Sequence, residues 1–96
     1  MADLLDAEGI KSAQESLPGW SYDGEALVRR VDIPTADQDT LESQVMAEAN
    51  AMNHHPVVSR EGDTMTFRVW SHSDGGVTSK DVDLAGRIDQ VLSSGS

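Results

Sequence analysis

From residue 64 to 72 the chain alternates strictly. Met65, Phe67 and Val69 occupy one set of places, and Thr66, Arg68, Trp70 and His72 the other. A two-residue period predicts a strand with one face in a core and the other toward water. Val57 to Glu61 precedes it across Gly62-Asp63, a turn pair, so the two segments predict a hairpin. A second hairpin is predicted upstream, from Trp20-Ser21-Tyr22 and Ala26 to Ile33 around Asp23-Gly24. Leu17-Pro18-Gly19 separates it from a helix over Ala7–Ser16, and Pro34 closes its second strand.

Helical spacing takes over after Pro34. Leu41, Val45, Ala49 and Met52 recur every three or four residues and form one apolar stripe. Thr35 with Gln38, or Asp39 with Glu42, can open this helix as a capping box. Its end is expected at the histidines, because the residue before Pro56 is pushed out of helical geometry. After the loop Asp74-Gly75-Gly76, Thr78-x-x-Asp81 predicts a capped third helix with Val82, Ala85, Ile88 and Val91 on its buried face. The order is helix, two strands, helix, two strands, helix. That predicts an α+β fold: a four-stranded antiparallel sheet with three helices packed on one face.

Ninety-six residues suit one domain, residues 1–96, with 93–96 as a frayed tail. Aromatics are only 4% of the chain, so the core is aliphatic and modest, and a homodimer or homotetramer is expected. There is no cysteine, which excludes disulfides and thiolate metal sites; with no leader or membrane signal, the expected location is cytoplasmic. The formal charge of -10 repels phosphate backbones, so no direct nucleic-acid contact and no membrane association are expected.

The chemistry concentrates at His54-His55-Pro56. The chain has three histidines, and two of them are adjacent. With an ordinary pKa of about 6.5, histidine exchanges protons near neutrality. His54 and His55 lie at a helix end, His72 at a strand end and Asp81 at a helix start, the places where sites form. Imidazoles with an orienting carboxylate make an acid/base device. Plain structural uses stand beside this: His54 closing a helix C-terminus, His72 on a wet strand face, Asp81 as a cap. No nucleophile motif accompanies the histidines, and no ligand spacing points to a metal.

Taken together, Asn53-His54-His55-Pro56, Thr66-Phe67, Ser71-His72, Gly75-Gly76-Val77-Thr78, Asp81 and Leu84-Ala85-x-x-Ile88-Asp89 resemble the pterin-4a-carbinolamine dehydratases. So does Gly19-Trp20 before a hairpin. The resemblance covers nearly the whole chain and implies the same fold, three helices on a four-stranded antiparallel sheet. It implies loss of water from 4a-hydroxytetrahydropterin to give quinonoid dihydropterin, with a pterin substrate and no cofactor or metal. It implies His54, His55 and His72 as the catalytic set. By the same resemblance His54 and His72 would be the acid and base at the 4a-hydroxyl and N5, His55 would hold the pterin, and Asp81 would support binding.

Three positions depart from the family pattern. Asn50 stands where the family usually has a charged or titratable residue four places before the first His. Gly62 stands where an aromatic usually precedes the third His by ten, which would remove a wall of the pterin pocket. Ala36-Asp37-Gln38-Asp39 replaces an aromatic near the start of the second helix. Trp70, two residues before His72 on the same face, offers either a stacking surface for the pterin or an interface residue. The family also contains non-catalytic members that act through protein contacts, as a transcription-factor dimerisation cofactor or a RuBisCO assembly factor. That is the alternative to an enzyme.

Overall fold

The computed structural model describes residues 4–94. The elements are α1 (Ala7–Ser16), β1 (Ser21–Tyr22), β2 (Leu27–Asp32), α2 (Thr35–Met52), β3 (Val57–Glu61), β4 (Thr64–Val69) and α3 (Ser79–Ser94). The strands form one antiparallel sheet in the order β1-β2-β4-β3. This is the expected α+β order.

Register follows from side-chain period. Met65, Phe67 and Val69 of β4 face Val31, Arg29 and Leu27 of β2, and Phe67 also faces Val58 of β3. These places point toward the helices, and Leu27, Met65, Phe67 and Val69 are fully buried. Val28, Arg30, Thr66 and Arg68 lie on the opposite, uncovered face. Val45 and Ala49 of α2 and Leu84, Ala85 and Ile88 of α3 complete the core, each large apolar side chain contributing about 1.5–3 kcal/mol by leaving water.

Local chemistry sets the ends. Asp6 caps α1 by accepting from the Gly9 N–H at 2.8 Å. The first hairpin has a longer connection than expected, with Tyr22 paired to Leu27 across residues 23–26 and Ala26 in the turn. Asp23 Oδ1 accepts from the N–H groups of Glu25 (2.9 Å) and Ala26 (2.8 Å) and so builds the turn itself. Trp20 stays outside β1. It is buried, and its Nε1 donates to Asp89 at 2.8 Å, beside the Arg29 guanidinium on the same oxygen (3.1 Å). Gly19 lets that guanidinium pass, since a Cβ there would lie 2.2 Å from Arg29 Nη1.

Four expectations need correction. Neither Thr35 nor Asp39 caps α2. Pro34 is the cap residue and no side chain completes it. Gln38 is buried instead, and its Nε2 donates to Ile33 O (3.0 Å) and Gly62 O (2.8 Å), tying the start of α2 to the β3–β4 turn. The fourth strand ends at Val69, not at His72, because β2 has no residue beyond Leu27 to pair with it. The buried face of α3 is rotated: Val82 and Val91 are half-buried, while Asp81, Leu84, Ala85 and Ile88 lie inside. Residues 93 and 94, expected to fray, continue α3, and 95–96 lie outside the described residues. Among the described residues no helix is long and apolar enough to cross a membrane.

Candidate active site

The site begins where α2 stops. Asn53 takes the left-handed conformation (φ 55°, ψ 41°). Its N–H donates to Asn50 O at 3.1 Å, and the next N–H, of His54, donates to Ala49 O at 3.0 Å. These two reversed bonds form a Schellman cap. The helix therefore ends at Met52 through Asn53, three residues before Pro56, and the turn throws His54 back toward α3.

There His54 meets Asp81. His54 Nε2 lies 2.5 Å from Asp81 Oδ1, and the Asp81 side chain is wholly excluded from solvent. Asp81 Oδ2 accepts from Thr78 N (2.8 Å) and Ser71 Oγ (2.9 Å), with Thr78 Oγ1 at 3.4 Å. The Ser71 and Thr78 hydroxyls are also joined at 2.9 Å. The Thr78 bond is the reciprocal half of the expected capping box. The capping carboxylate is thus also the partner of the histidine. Burial of the carboxylate is tolerable because both oxygens are bonded; among the described residues no buried side-chain polar atom lacks a partner.

Ser71 is held by a closed turn. Its N–H donates to Gly76 O at 2.8 Å, and the Gly75 N–H returns to Ser71 O at 2.9 Å, with Gly75 at φ 78°. A side chain at Gly75 would be strained by that φ. His72 projects from this turn, and its ring stacks on Trp70 with centroids 4.2 Å apart and planes at 24°. The Arg68 guanidinium lies over the Trp70 ring, 4.8 Å from its centroid.

His54, His55, Trp70, Ser71 and His72 line one cavity of about 460 Å³, with Asn53, Ser73, Asp74 and Lys80 completing the wall. The three histidines meet there although their elements are far apart in sequence. His55 is exposed, and its Nε2 lies 2.6 Å from Asn50 Oδ1, so the uncharged residue at that departure holds the second histidine. Asp81 does not line the cavity. It stands behind His54 rather than on the wall. Gly62 does not line it either. It sits in the β3–β4 turn (φ 59°), while the cavity lies at the Val57–Arg68 end of that hairpin. The missing aromatic therefore removes nothing from this wall.

Sequence reasoning missed Asn53, Ser71, Thr78 as a hydroxyl partner, and Lys80. Asn53 carried a readable signal, since asparagine is among the few residues that enter the left-handed region cheaply. Ser71 carried none. Charge around the cavity is ordered from outside it. The Asp23 carboxyl is held below the usual carboxylate range, first by the Ala26 N–H; burial opposes this as the next largest effect, and Glu25 N–H and Arg68 add to the lowering. Arg68 is held above its ordinary value, chiefly by the Asp23 hydrogen bonds.

A family model described as pterin 4 alpha carbinolamine dehydratase matches residues 3–91. The chain belongs to the pterin-4a-carbinolamine dehydratase family. It is 36% identical over 92 residues to a protein of Nocardia farcinica, covering 93% of this chain and 95% of the relative. It is 38% identical over 94 residues to one of Mycobacterium sp. strain KMS, covering 96% and 98%. The names of both relatives place them provisionally among the pterin-4-alpha-carbinolamine dehydratases. A crystal structure from Brucella melitensis, described as a transcriptional coactivator/pterin dehydratase, superposes with a TM-score of 0.86 over 93% of this chain and 98% of that one. At 24% identity that match shows the shared fold. In this dehydratase-family chain His54, His55 and His72 all reach the one cavity, and Asp81 underpins the first of them.

Proposed function

We propose that the chain dehydrates 4a-hydroxytetrahydropterin to quinonoid dihydropterin by histidine acid/base catalysis. The observation that carries this reading is the His54–Asp81 pair facing a cavity that also holds His72.

With Asp81 ionised, His54 Nε2 carries the hydrogen of the pair, which leaves Nδ1 as the nitrogen free to take a proton. The buried carboxylate fixes the ring and its tautomer, and supplies a counter-charge when the ring is protonated. In the proposed step His72, protonated, gives its proton to the 4a-hydroxyl. The C4a–O bond breaks and water leaves. The electron pair of the N5–H bond becomes the C4a=N5 double bond as His54 Nδ1 takes the N5 proton. One proton enters and one leaves, so no oxidant or cofactor is required. His55, steadied by Asn50, is placed to hold the pterin by hydrogen bonding. Acid/base assistance of this kind contributes about 10²–10⁴-fold in rate.

The test is a dehydration assay on freshly generated 4a-hydroxytetrahydropterin. Wild type should accelerate water loss over buffer, and His54→Ala and His72→Ala should each remove most of that acceleration. Absence of acceleration by wild type would discard the enzyme and leave the reading in which this family member acts through protein contacts.

A further inference from the structure

We infer that Trp70 is a positioning residue for His72, and not a wall on which the pterin stacks. The inference rests on the catalytic reading of His72 given above. Arg68 precedes Trp70 by two residues and His72 follows it by two. They meet the indole from opposite directions along the chain, the guanidinium 4.8 Å and the imidazole 4.2 Å from its centre. On this reading the two groups take opposite faces of the indole, and a pterin entering the cavity reaches its edge.

The far end of this stack is anchored. Arg68 donates to Asp23 Oδ2 at 2.6 and 3.1 Å and to Glu25 Oε1 at 3.4 Å. Asp23 is itself locked by the turn N–H groups of Glu25 and Ala26. A rigid turn therefore sets a guanidinium, the guanidinium sets an indole by cation–π attraction, and the indole sets the imidazole. His72 needs such support because it is exposed and projects from a turn rather than from a strand. The other charged or titratable residues lining its cavity are His54, His55 and Lys80, with Asp74 in its own turn. No hydrogen bond ties the His72 side chain to any of them, so the ring stack is what orients it. A reacting group displaced by about 1 Å can lose on the order of 10²-fold in rate.

The experiment pairs kinetics with proton NMR of the His72 ring. In wild type the His72 ring protons should be shifted upfield by the indole ring current. Trp70→Leu should lose that shift and lower kcat at least about tenfold, with KM changed less than about twofold. Trp70→Phe, which keeps an aromatic face in the same space, should retain most of both, and it decides the matter if the Leu variant is unstable. Arg68→Met, which frees the far face, should give a smaller loss of the same kind. A rise in KM at unchanged kcat in Trp70→Leu would overturn the inference and restore Trp70 as a substrate wall. No change in either constant, or no upfield shift in wild type, would overturn it too. A wild-type protein that shows the shift but does not dehydrate the pterin would instead overturn the proposed function.

Discussion

His54 Nε2 and Asp81 Oδ1 are 2.5 Å apart, although 27 residues separate them in the chain. The two oxygens of Asp81 do different work. One faces the imidazole, and the other closes the first turn of α3 through Thr78 N and Ser71 Oγ. A single buried carboxylate thus couples the integrity of a helix start to the orientation of a proposed base.

Asp81→Asn tests that coupling through hydrogen-bond logic. Thr78 N–H can only donate, so the amide oxygen must turn toward it. The amide nitrogen then faces His54 and forces the opposite tautomer, with Nε2 accepting and Nδ1–H pointing into the cavity. Dehydration should fall by about 10²–10⁴-fold, since the base position would already carry a hydrogen. Folding stability should fall by about 1–3 kcal/mol in urea unfolding, because donors of the buried cluster lose a charged acceptor. Full activity in this variant would remove Asp81 from the mechanism.

Asn53 should matter twice, for the end of α2 and for the aim of His54. Asn53→Gly should leave stability nearly unchanged, because glycine enters the left-handed region without penalty. Asn53→Val should cost about 1–2 kcal/mol, read as a drop of several degrees in Tm for a domain of this size. It should also slow dehydration through misplacement of His54. Equal Tm values for the Gly and Val variants would show that the cap contributes nothing.

Asp23 should leave a mark on the pH dependence of stability. Its carboxyl is lowered below the ordinary value by Ala26 and Glu25 N–H and by Arg68. A lowered folded pKa contributes stability that is fully present above the unfolded value of about 3.9 and is lost as pH falls through the folded value. Wild type should therefore be more stable than Asp23→Asn at pH 7, and the gap should close below about pH 4. The gap should be small and should shrink in high salt, since the Asp23–Arg68 pair is partly exposed. A gap that persists unchanged into acid would mean that the turn geometry, and not the charge, supplies the effect.

Much of the fold was readable because its signals are local. The alternation from Met65 to Val69 and the turn Gly62-Asp63 specify a hairpin within a dozen residues, and the stripe Leu41, Val45, Ala49 specifies a helix face by itself. Boundaries were less readable where a competing partner lay elsewhere. Gln38 was drawn from a cap into the core by two carbonyls, one of them on the β3–β4 turn. His72 left the strand because β2 ran out of residues to pair with it. The face of α3 was misjudged by taking Val82 and passing over Leu84. A stripe counted from Asp81 at i+3, i+4 and i+7 gives Leu84, Ala85 and Ile88, and puts the carboxylate inside.

By itself the sequence determined the element order, the family and the residues from which a site can be made, because periodicity, turn chemistry and motif are properties of neighbours along the chain. Only the tertiary structure decided how those residues meet. It turned His54 onto Asp81 through a left-handed Asn53, joined Ser71 to Thr78, gave Asn50 to His55, and brought both Arg68 and His72 against the Trp70 ring. The physical reason is range. A hydrogen bond or ring stack is settled within a few ångströms, and what lies within that distance is set by how helices pack on a sheet, with no spacing in the chain that records it.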